Sequence, residues 1–177
     1  DLERRFGRLD GAFNNVGRTL GSSPTTETTL ERFQQTLDFN LRSTFLCLRE
    51  ELRLMQRTGG GSIVNNSSIG GTRGFANLQD YCAAKWGVVG LTKAVALEGA
   101  AAGIRVNVIA PGLVATERFE LIRSQNSAMI ESRLKEIPLQ RPGAMDEIGA
   151  TVVWLLGPGS GFLTGAIIPI DGGECAR

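Results

Sequence analysis

The chain has 177 residues, of which 42% are hydrophobic and 21% charged, and its formal net charge is +1, the composition of an ordinary globular domain. The balanced charge and the lack of a basic run exclude a nucleic-acid partner, and no apolar stretch approaches the roughly 18 residues of a membrane span. There is no histidine, which excludes Ser-His-Asp and Cys-His catalysis and histidine-ligated metal sites, so no metal site is predicted.

The length indicates a single domain over residues 1–177, since the sequence contains no internal repeat and no linker. The three scattered cysteines, Cys47, Cys82 and Cys175, are odd in number and predict free thiols in a reducing cytoplasm. No signal peptide opens the sequence. A cytoplasmic location is therefore predicted.

Apolar periodicity and turn residues predict strands that alternate with helices. In chain order the predicted elements are a helix tail at 1–8, a strand at 9–13, a long helix from 28 to the glycines at 59–61, a strand at 62–65, a helix that carries 81–102, a strand at 104–109, a mobile helical flap at 117–136, a helix at 146–156 and a strand at 166–170. Short apolar strands between helices are typical of an α/β protein with a parallel sheet.

The long second helix contains one residue that needs a reason. Thr28 and Glu31 have the spacing of a capping box, so the helix is predicted to begin there and to continue as an apolar stripe. Asn40 interrupts that stripe. Since asparagine is a poor helix former, Asn40 is either a solvated surface residue or a residue with a specific role.

The chemistry is predicted at Tyr81 and Lys85, which lie one turn apart on the same face of a helix. A neighbouring ammonium lowers the pKa of a phenol from about 10 and makes tyrosine a usable general acid or base. Ser68 follows a predicted strand, and its hydroxyl could hold a carbonyl or alcohol oxygen against the phenol. Tyr-x-x-x-Lys alone is usually an ordinary helix pair, so the prediction depends on the other motifs.

Taken together, these motifs resemble the short-chain dehydrogenase/reductase family over essentially the whole chain, and 3-oxoacyl carrier protein reductases in particular. The resembling segments, in order, are the turn Asn-Asn-Val-Gly at 14–17, Asn40, Ser68 with Tyr81 and Lys85, the turn Pro-Gly-Leu-Val-Ala-Thr at 111–116, and Asp-Gly-Gly at 171–173. The resemblance implies a doubly wound parallel sheet, Rossmann-like, of which this sequence contains the portion from the fourth strand onward.

The resemblance also implies roles for individual residues. The implied catalytic residues are Asn40, Ser68, Tyr81 and Lys85. The implied cofactor-binding residues are Asn14, Gly17, Tyr81, Lys85, Pro111, Gly112, Val114 and Thr116. The implied cofactor is NAD or NADP, and the implied reaction is hydride transfer between a secondary alcohol and a ketone. Tyr81 would exchange the proton, Lys85 would bind the nicotinamide ribose, and Asn40 would hold a water in a proton relay.

Three features differ from the family pattern. Val16 replaces the usual alanine, and Asn66 stands where the family has an apolar residue; both are tolerable. The glycine-rich phosphate-binding turn and the first three strands of the family have no counterpart in this sequence. The residue 9–13 strand is therefore expected to be an exposed sheet edge. These 177 residues, produced alone, are expected to bind NAD(H) or NADP(H) poorly.

The preferred function is thus an oxidoreductase with a small alcohol or ketone substrate, with no nucleic-acid or membrane partner. Its substrate pocket is expected to be apolar and to be lined by Ile69, Phe75, Leu78, Phe119 and Ile122. A homo-oligomer is expected, either a dimer or a homotetramer, because the helix from residue 84 to 102 is apolar on several faces. The alternative is a non-catalytic dinucleotide-binding or oligomerising fragment of the same fold.

Overall fold

The computed structural model describes residues 2–176, and at Leu2 the backbone alone. The helices are α1 Leu2–Phe6, α2 Leu30–Leu37, α3 Ser43–Thr58, α4 Gln79–Gly99, α5 Glu117–Gln125, α6 Ser127–Glu136 and α7 Met145–Leu156. The strands are β1 Gly11–Asn14, β2 Gly61–Asn66, β3 Ile104–Pro111 and β4 Ile167–Ile170. Short 3₁₀ turns lie at Thr25–Glu27, Ile69–Gly71, Ala100–Ala102 and Pro158–Ser160.

The four strands form one parallel sheet in the order β1-β2-β3-β4. Each predicted strand is therefore present, and the expected α/β fold with a parallel, Rossmann-like sheet is confirmed. β1 is an edge of this four-stranded sheet, as expected for the residue 9–13 strand.

Apolar side chains are buried on both faces of the sheet. On one face Ile63 of β2 packs with Leu48 and Met55 of α3 and with Val95 of α4. On the other face the next residue of β2, Val64, packs with Val152 and Leu155 of α7. Because successive strand residues point to opposite faces, a strand covered on both sides must be apolar throughout, as β2 is at these positions.

The predicted capping box at Thr28 is wrong by one residue. Thr29 is the N-cap of α2, where its hydroxyl accepts a hydrogen bond from the Arg32 amide at 3.2 Å. The Thr28 hydroxyl instead accepts from the Arg32 guanidinium at 2.6 Å, and the Glu31 carboxylate accepts from Gln35 at 3.1 Å. Two consecutive threonines offered two possible caps, and the tertiary contact of Arg32 selects the second.

The long helix predicted from residue 28 to the glycines is also not continuous. A five-residue π-helical segment, Asp38–Arg42, separates α2 from α3, and Asn40 lies in its middle. Such segments widen the helix by one residue and occur frequently at functional sites. α3 then ends where Gly59 adopts a φ of 93°, in the left-handed region, and donates its amide to the Met55 carbonyl.

Candidate active site

The predicted site residues collect at the carboxyl ends of the parallel strands. Asn14 ends β1, Ser68 lies just beyond β2, and Gly112 follows β3. Ligands of open α/β sheets bind at this edge. α4, which carries Tyr81 and Lys85, packs along the 3₁₀ turn that follows Ser68.

Ser68 and Tyr81 face one another across Gly70. A Cβ atom built on Gly70 would lie 3.3 Å from a ring carbon of Tyr81 and 3.6 Å from Ser68 Oγ. The Ser68 hydroxyl also accepts the Gly70 amide at 3.1 Å, which fixes the serine side chain. Glycine at 70 therefore leaves the space in which the hydroxyl and the phenol come together.

The pKa of the Tyr81 phenol is raised from its ordinary value, chiefly by burial. The Ser68 hydroxyl and the positive charge of Arg118 act in the opposite direction but do not outweigh burial. The expectation that Lys85 acidifies the phenol is thus not met in this structure. The Lys85 Nζ atom lies 5.7 Å from the centroid of the Tyr81 ring and donates to the Asn66 carbonyl instead.

Lys85 is almost completely buried, with 3% of its surface exposed. Its Nζ atom donates to the Asn66 carbonyl at 3.0 Å. Burial lowers the pKa of the Lys85 ammonium to about 8, because the charged form loses its hydration. A lysine with this pKa still carries its charge at neutral pH.

Replacement of Lys85 by methionine is expected to stabilise the cofactor-free protein at pH 7 by about 2 kcal/mol. The unfolded lysine titrates near its model value of 10.5 and the folded one near 8, so protonated Lys85 destabilises the folded state below about pH 8. Between these two values the wild type gains stability as pH rises, since the unfolded chain binds more protons. Urea unfolding at pH 7 and pH 10 measures this, and a Lys85→Met variant less stable than the wild type at pH 7 would contradict it.

Asn40 has a specific role in the structure, since it is fully buried and is not on the solvated face of a helix. Its amide Nδ2 donates to the carbonyls of Thr36 at 2.8 Å and Arg18 at 2.9 Å. Within the described part of the chain its Oδ1 atom has no hydrogen-bond partner. A Cβ atom built on Gly17 would lie 2.4 Å from that oxygen and 2.9 Å from Lys85 Nζ. Residue 17 must therefore be glycine to fit against a buried oxygen and an ammonium at once.

Asn14 lies at the predicted edge, but its side-chain amide is occupied. Nδ2 donates to Asn65 Oδ1 at 2.9 Å and to Glu51 Oε2 at 3.0 Å. The Glu51 carboxyl has a raised pKa, primarily because of burial, and the Asn14 hydrogen bond partly offsets this. In this arrangement the Asn14 side chain connects β1, β2 and α3.

The predicted nicotinamide turn, Pro111 to Thr116, borders the same edge. A Cβ on Gly112 would lie 3.0 Å from the Cα of Asp171, so the turn is packed against the end of β4. Val114 forms a single parallel bridge with Gly143, for which the amides of Ala115 and Gly143 are the donors. The Thr116 hydroxyl caps α5 by accepting the Phe119 amide at 3.3 Å. It can still donate a hydrogen bond to a ligand.

An open, mostly apolar cleft of about 570 Å³ lies beside the Ser68 and Tyr81 side chains. Its walls include Ser68 and Tyr81 with Gly112 and Leu113. Four of the five residues expected to line it do so, namely Ile69, Phe75, Leu78 and Ile122. Phe119 does not, because its side chain turns inward and only 4% of it is exposed.

Sequence reasoning missed Asp80, which precedes Tyr81 and is 1% exposed. Its carboxylate accepts the Tyr81 amide at 2.9 Å, Arg32 Nε at 3.1 Å and the Thr36 hydroxyl at 3.0 Å. It thereby fixes the first turn of α4, and with it the position of Tyr81, against α2. The signal was an acidic residue in the first turn of an apolar helix.

Arg133 was also missed, because it is one of several charged residues in the predicted flap at 117–136 and no local pattern distinguishes it. In the structure Arg133 lines the cleft.

Among residues 2–176 no group of side chains could hold a metal ion, and no helix in that range is long and apolar enough to cross a membrane.

The open parallel sheet, with the cleft at the carboxyl ends of its strands, has the architecture of the Rossmann-like proteins. Residues 1–174 match the family model described as enoyl-(acyl carrier protein) reductase. The chain belongs to the short-chain dehydrogenase/reductase family, and the resemblance predicted from its motifs is confirmed.

Three relatives are informative. Levodione reductase of Leifsonia aquatica is 40% identical over 177 residues, which cover 97% of this chain and 66% of that protein. Cyclohexanol dehydrogenase of Acinetobacter sp. (strain SE19) is 39% identical over 172 residues, which cover 97% of this chain and 66% of that protein. The structure of ElxO with NADP bound superposes with a TM-score of 0.95 at 34% identity, over 99% of this chain and 71% of that one. A crystal structure of levodione reductase superposes with a TM-score of 0.94 at 39% identity, over 99% of this chain and 70% of that one. This chain thus spans about two thirds of the length of these relatives.

Proposed function

We propose that the protein interconverts a secondary alcohol and a ketone with NAD or NADP, using Tyr81 as the general acid and base. The observation that carries this proposal is the placement of the Ser68 hydroxyl and the Tyr81 phenol together in the wall of one apolar cleft, with Lys85 buried behind them. Among side chains that can exchange a proton, the phenol is the one beside the serine, and the chain contains no histidine to replace it.

The residues present fit a nicotinamide cofactor. Gly17 lies directly against the unpartnered Asn40 oxygen and the Lys85 ammonium, both of which can bind hydroxyl groups such as those of a ribose or a water. A solved relative, ElxO, holds NADP. The bound cofactor supplies or accepts the hydride, and the protein places the partners and moves the proton.

In the reductive direction, Ser68 donates a hydrogen bond to the substrate carbonyl oxygen, and Tyr81 gives that oxygen its proton. The raised pKa of Tyr81 in the cofactor-free site favours the protonated phenol that this step needs. The positive charge of Arg118, which favours the ionised form of Tyr81, stabilises the phenolate that is left. The unpartnered Asn40 oxygen fits a water through which Lys85 returns a proton to the phenol.

The cleft favours a ring-bearing, uncharged substrate. Its apolar lining by Ile69, Phe75 and Leu78 suits a small carbocycle, and one relative is named a cyclohexanol dehydrogenase. We propose a cyclic secondary alcohol or ketone as the substrate class.

We further propose a cytoplasmic homo-oligomer, either a dimer or a tetramer. Free cysteines at 47, 82 and 175 support the reducing compartment. An apolar groove of α3 and α4 supports the oligomer: Phe45 and Leu91 line it, and on α4 Trp86 and Leu97 are 50% and 81% exposed. Sedimentation of the complete protein would show a single species larger than the monomer.

The proposed function is tested on the complete protein in two steps. Dinucleotide binding is followed by fluorescence titration, and turnover is followed by reduction of NAD⁺ or NADP⁺ with cyclohexanol and related secondary alcohols. Binding together with turnover supports the proposal. Binding without turnover on any of these alcohols would favour the non-catalytic dinucleotide-binding alternative. Absence of binding would reject that alternative together with the proposed function and leave the oligomerising one.

A further inference from the structure

A buried carboxylate near the carboxyl end of the chain holds two arginines beside the cleft. Glu174 has no exposed surface. Its Oε1 atom accepts from Arg73 Nη2 at 2.5 Å and from Arg133 Nη2 at 3.0 Å. Both guanidinium groups also lie over the ring of Phe75, at 4.6 Å for Arg73 and 5.4 Å for Arg133. This cluster joins the loop after β2, helix α6 and the end of the chain.

The two arginines differ in one respect. Arg133 lines the cleft, whereas Arg73 is not part of its wall. The Arg133 side chain is 29% exposed and is held from three sides, by Glu174, by Glu136 at 2.5 Å and by the Phe75 ring. A guanidinium held in this way has lost its conformational freedom before any ligand arrives.

Arg133 retains unused hydrogen-bond donors. A guanidinium has five N–H groups, and the hydrogen bonds of Arg133 to Glu136 and Glu174 engage one each on Nη1 and Nη2. The rest of the cleft wall near it is apolar, formed by Phe75, Ile122 and Met129. A fixed hydrogen-bond donor in an apolar wall favours a substrate that has an acceptor at that position. A substrate without an acceptor leaves the donor unpaired and therefore binds less tightly.

The charges around Arg133 identify the kind of acceptor. Arg133 is already paired with two carboxylates, those of Glu174 and Glu136, and Glu174 is shared with Arg73. A substrate carboxylate would add an uncompensated negative charge next to two glutamates. A carbonyl or hydroxyl oxygen can accept the hydrogen bond without that repulsion.

We propose that Arg133 is a specificity-determining residue that donates a hydrogen bond to a second, uncharged oxygen of the substrate. The preferred substrates are then rings with two oxygens, one that reacts at Tyr81 and one that is bound by Arg133. Glu174 is a positioning residue that holds Arg133 in place. This inference rests on the proposed function and defines its substrate class more narrowly.

The test compares three ketones in the complete protein: cyclohexanone, cyclohexane-1,4-dione and 4-oxocyclohexanecarboxylate. The wild type is expected to favour the dione over cyclohexanone at least tenfold in kcat/KM. Arg133→Met should lower kcat/KM for the dione by about 10- to 100-fold and change that for cyclohexanone less than about threefold. Arg73→Met is the matched control, because it removes the other partner of Glu174 and should retain the preference.

Each other outcome has a defined meaning. If the wild type reduces cyclohexanone without preferring the dione, or prefers the carboxylate, the inference is overturned and the proposed function stands. Equal losses on cyclohexanone and the dione in Arg133→Met, or loss of the preference in Arg73→Met, would also overturn it. If none of the three ketones is reduced, the proposed function fails and the inference fails with it. Should Arg133→Met not fold, Arg133→Leu decides by the same measurement, since an undiminished preference for the dione in a variant without a donor contradicts the proposal.

Discussion

Replacement of Tyr81 by phenylalanine is expected to lower kcat by about 10³-fold and to leave dinucleotide affinity within about threefold of the wild type. The substitution removes one oxygen and keeps the aromatic ring. The ring can therefore keep its contacts with Gly70 and with Lys85, which lies against one face of it. The proton then has no donor, because the Ser68 hydroxyl is too weak an acid to replace the phenol. Steady-state turnover and fluorescence titration of the cofactor provide the two measurements.

Absorbance in the tyrosinate band provides a third measurement. Tyr81 is the single tyrosine of these 177 residues, so the difference between wild type and Tyr81→Phe during an alkaline titration reports this phenol. In the cofactor-free protein it should ionise above its ordinary pKa, because burial outweighs the opposing effects of Ser68 and Arg118. Near-native turnover in Tyr81→Phe would contradict the proposed mechanism, and ionisation below the ordinary value would contradict the burial that the structure shows.

The sheet was predictable because each strand is a short apolar run closed by turn residues. Residues 62–65, for example, predicted the core of β2, Gly61–Asn66. Parallel strands are covered by helices on both faces, so most of their side chains must be apolar, and a short continuous apolar run is a strong signal for such a strand. The same logic placed the site, since residues just after such strands share one edge of the sheet.

Features that depend on contacts between distant residues were not predictable. Arg133 pairs with Glu174 across 41 residues of sequence, and nothing in the local pattern distinguishes this arginine from the exposed charges around it. The raised pKa of Tyr81 likewise depends on residues that are distant in the sequence and bury the phenol. Its spacing from Lys85 shows that the two share a helix face, but not that burial of the phenol outweighs the neighbouring charge.

Asn40 is an intermediate case. Its presence inside an apolar helical stripe showed that something was unusual, but two explanations were open. The structure supports the specific role, because Asn40 is buried in a π-helical segment and its oxygen is directed at Gly17. Helix propensity alone cannot reveal such a segment, since the Asn40 side chain donates one hydrogen bond to the Thr36 carbonyl one turn before it and another to the distant Arg18 carbonyl.

Replacement of Gly17 by alanine therefore gives the second large expected effect. Gly17 has a φ of 152°, which residues with a side chain rarely adopt, and its Cβ would overlap Asn40 Oδ1 and crowd Lys85 Nζ. Asn40 cannot move aside easily, because both hydrogens of its amide are engaged by backbone carbonyls. We expect kcat/KM to fall by about 100-fold and dinucleotide affinity to fall about tenfold, because a 1 Å displacement at a positioned group has effects of this size.

The matched control is Gly149→Ala in α7, where an added Cβ meets no atom within 4 Å. This variant should bind and turn over like the wild type and should be slightly more stable, since alanine is the better helix former. Urea unfolding separates a local effect from a loss of fold: Gly17→Ala should destabilise the protein by about 1–3 kcal/mol, too little to unfold most of it. If the folded Gly17→Ala protein bound dinucleotide as tightly as the wild type, the space between Asn40 and Lys85 would not be part of the cofactor site. The proton relay assigned to those two residues would then have to be abandoned.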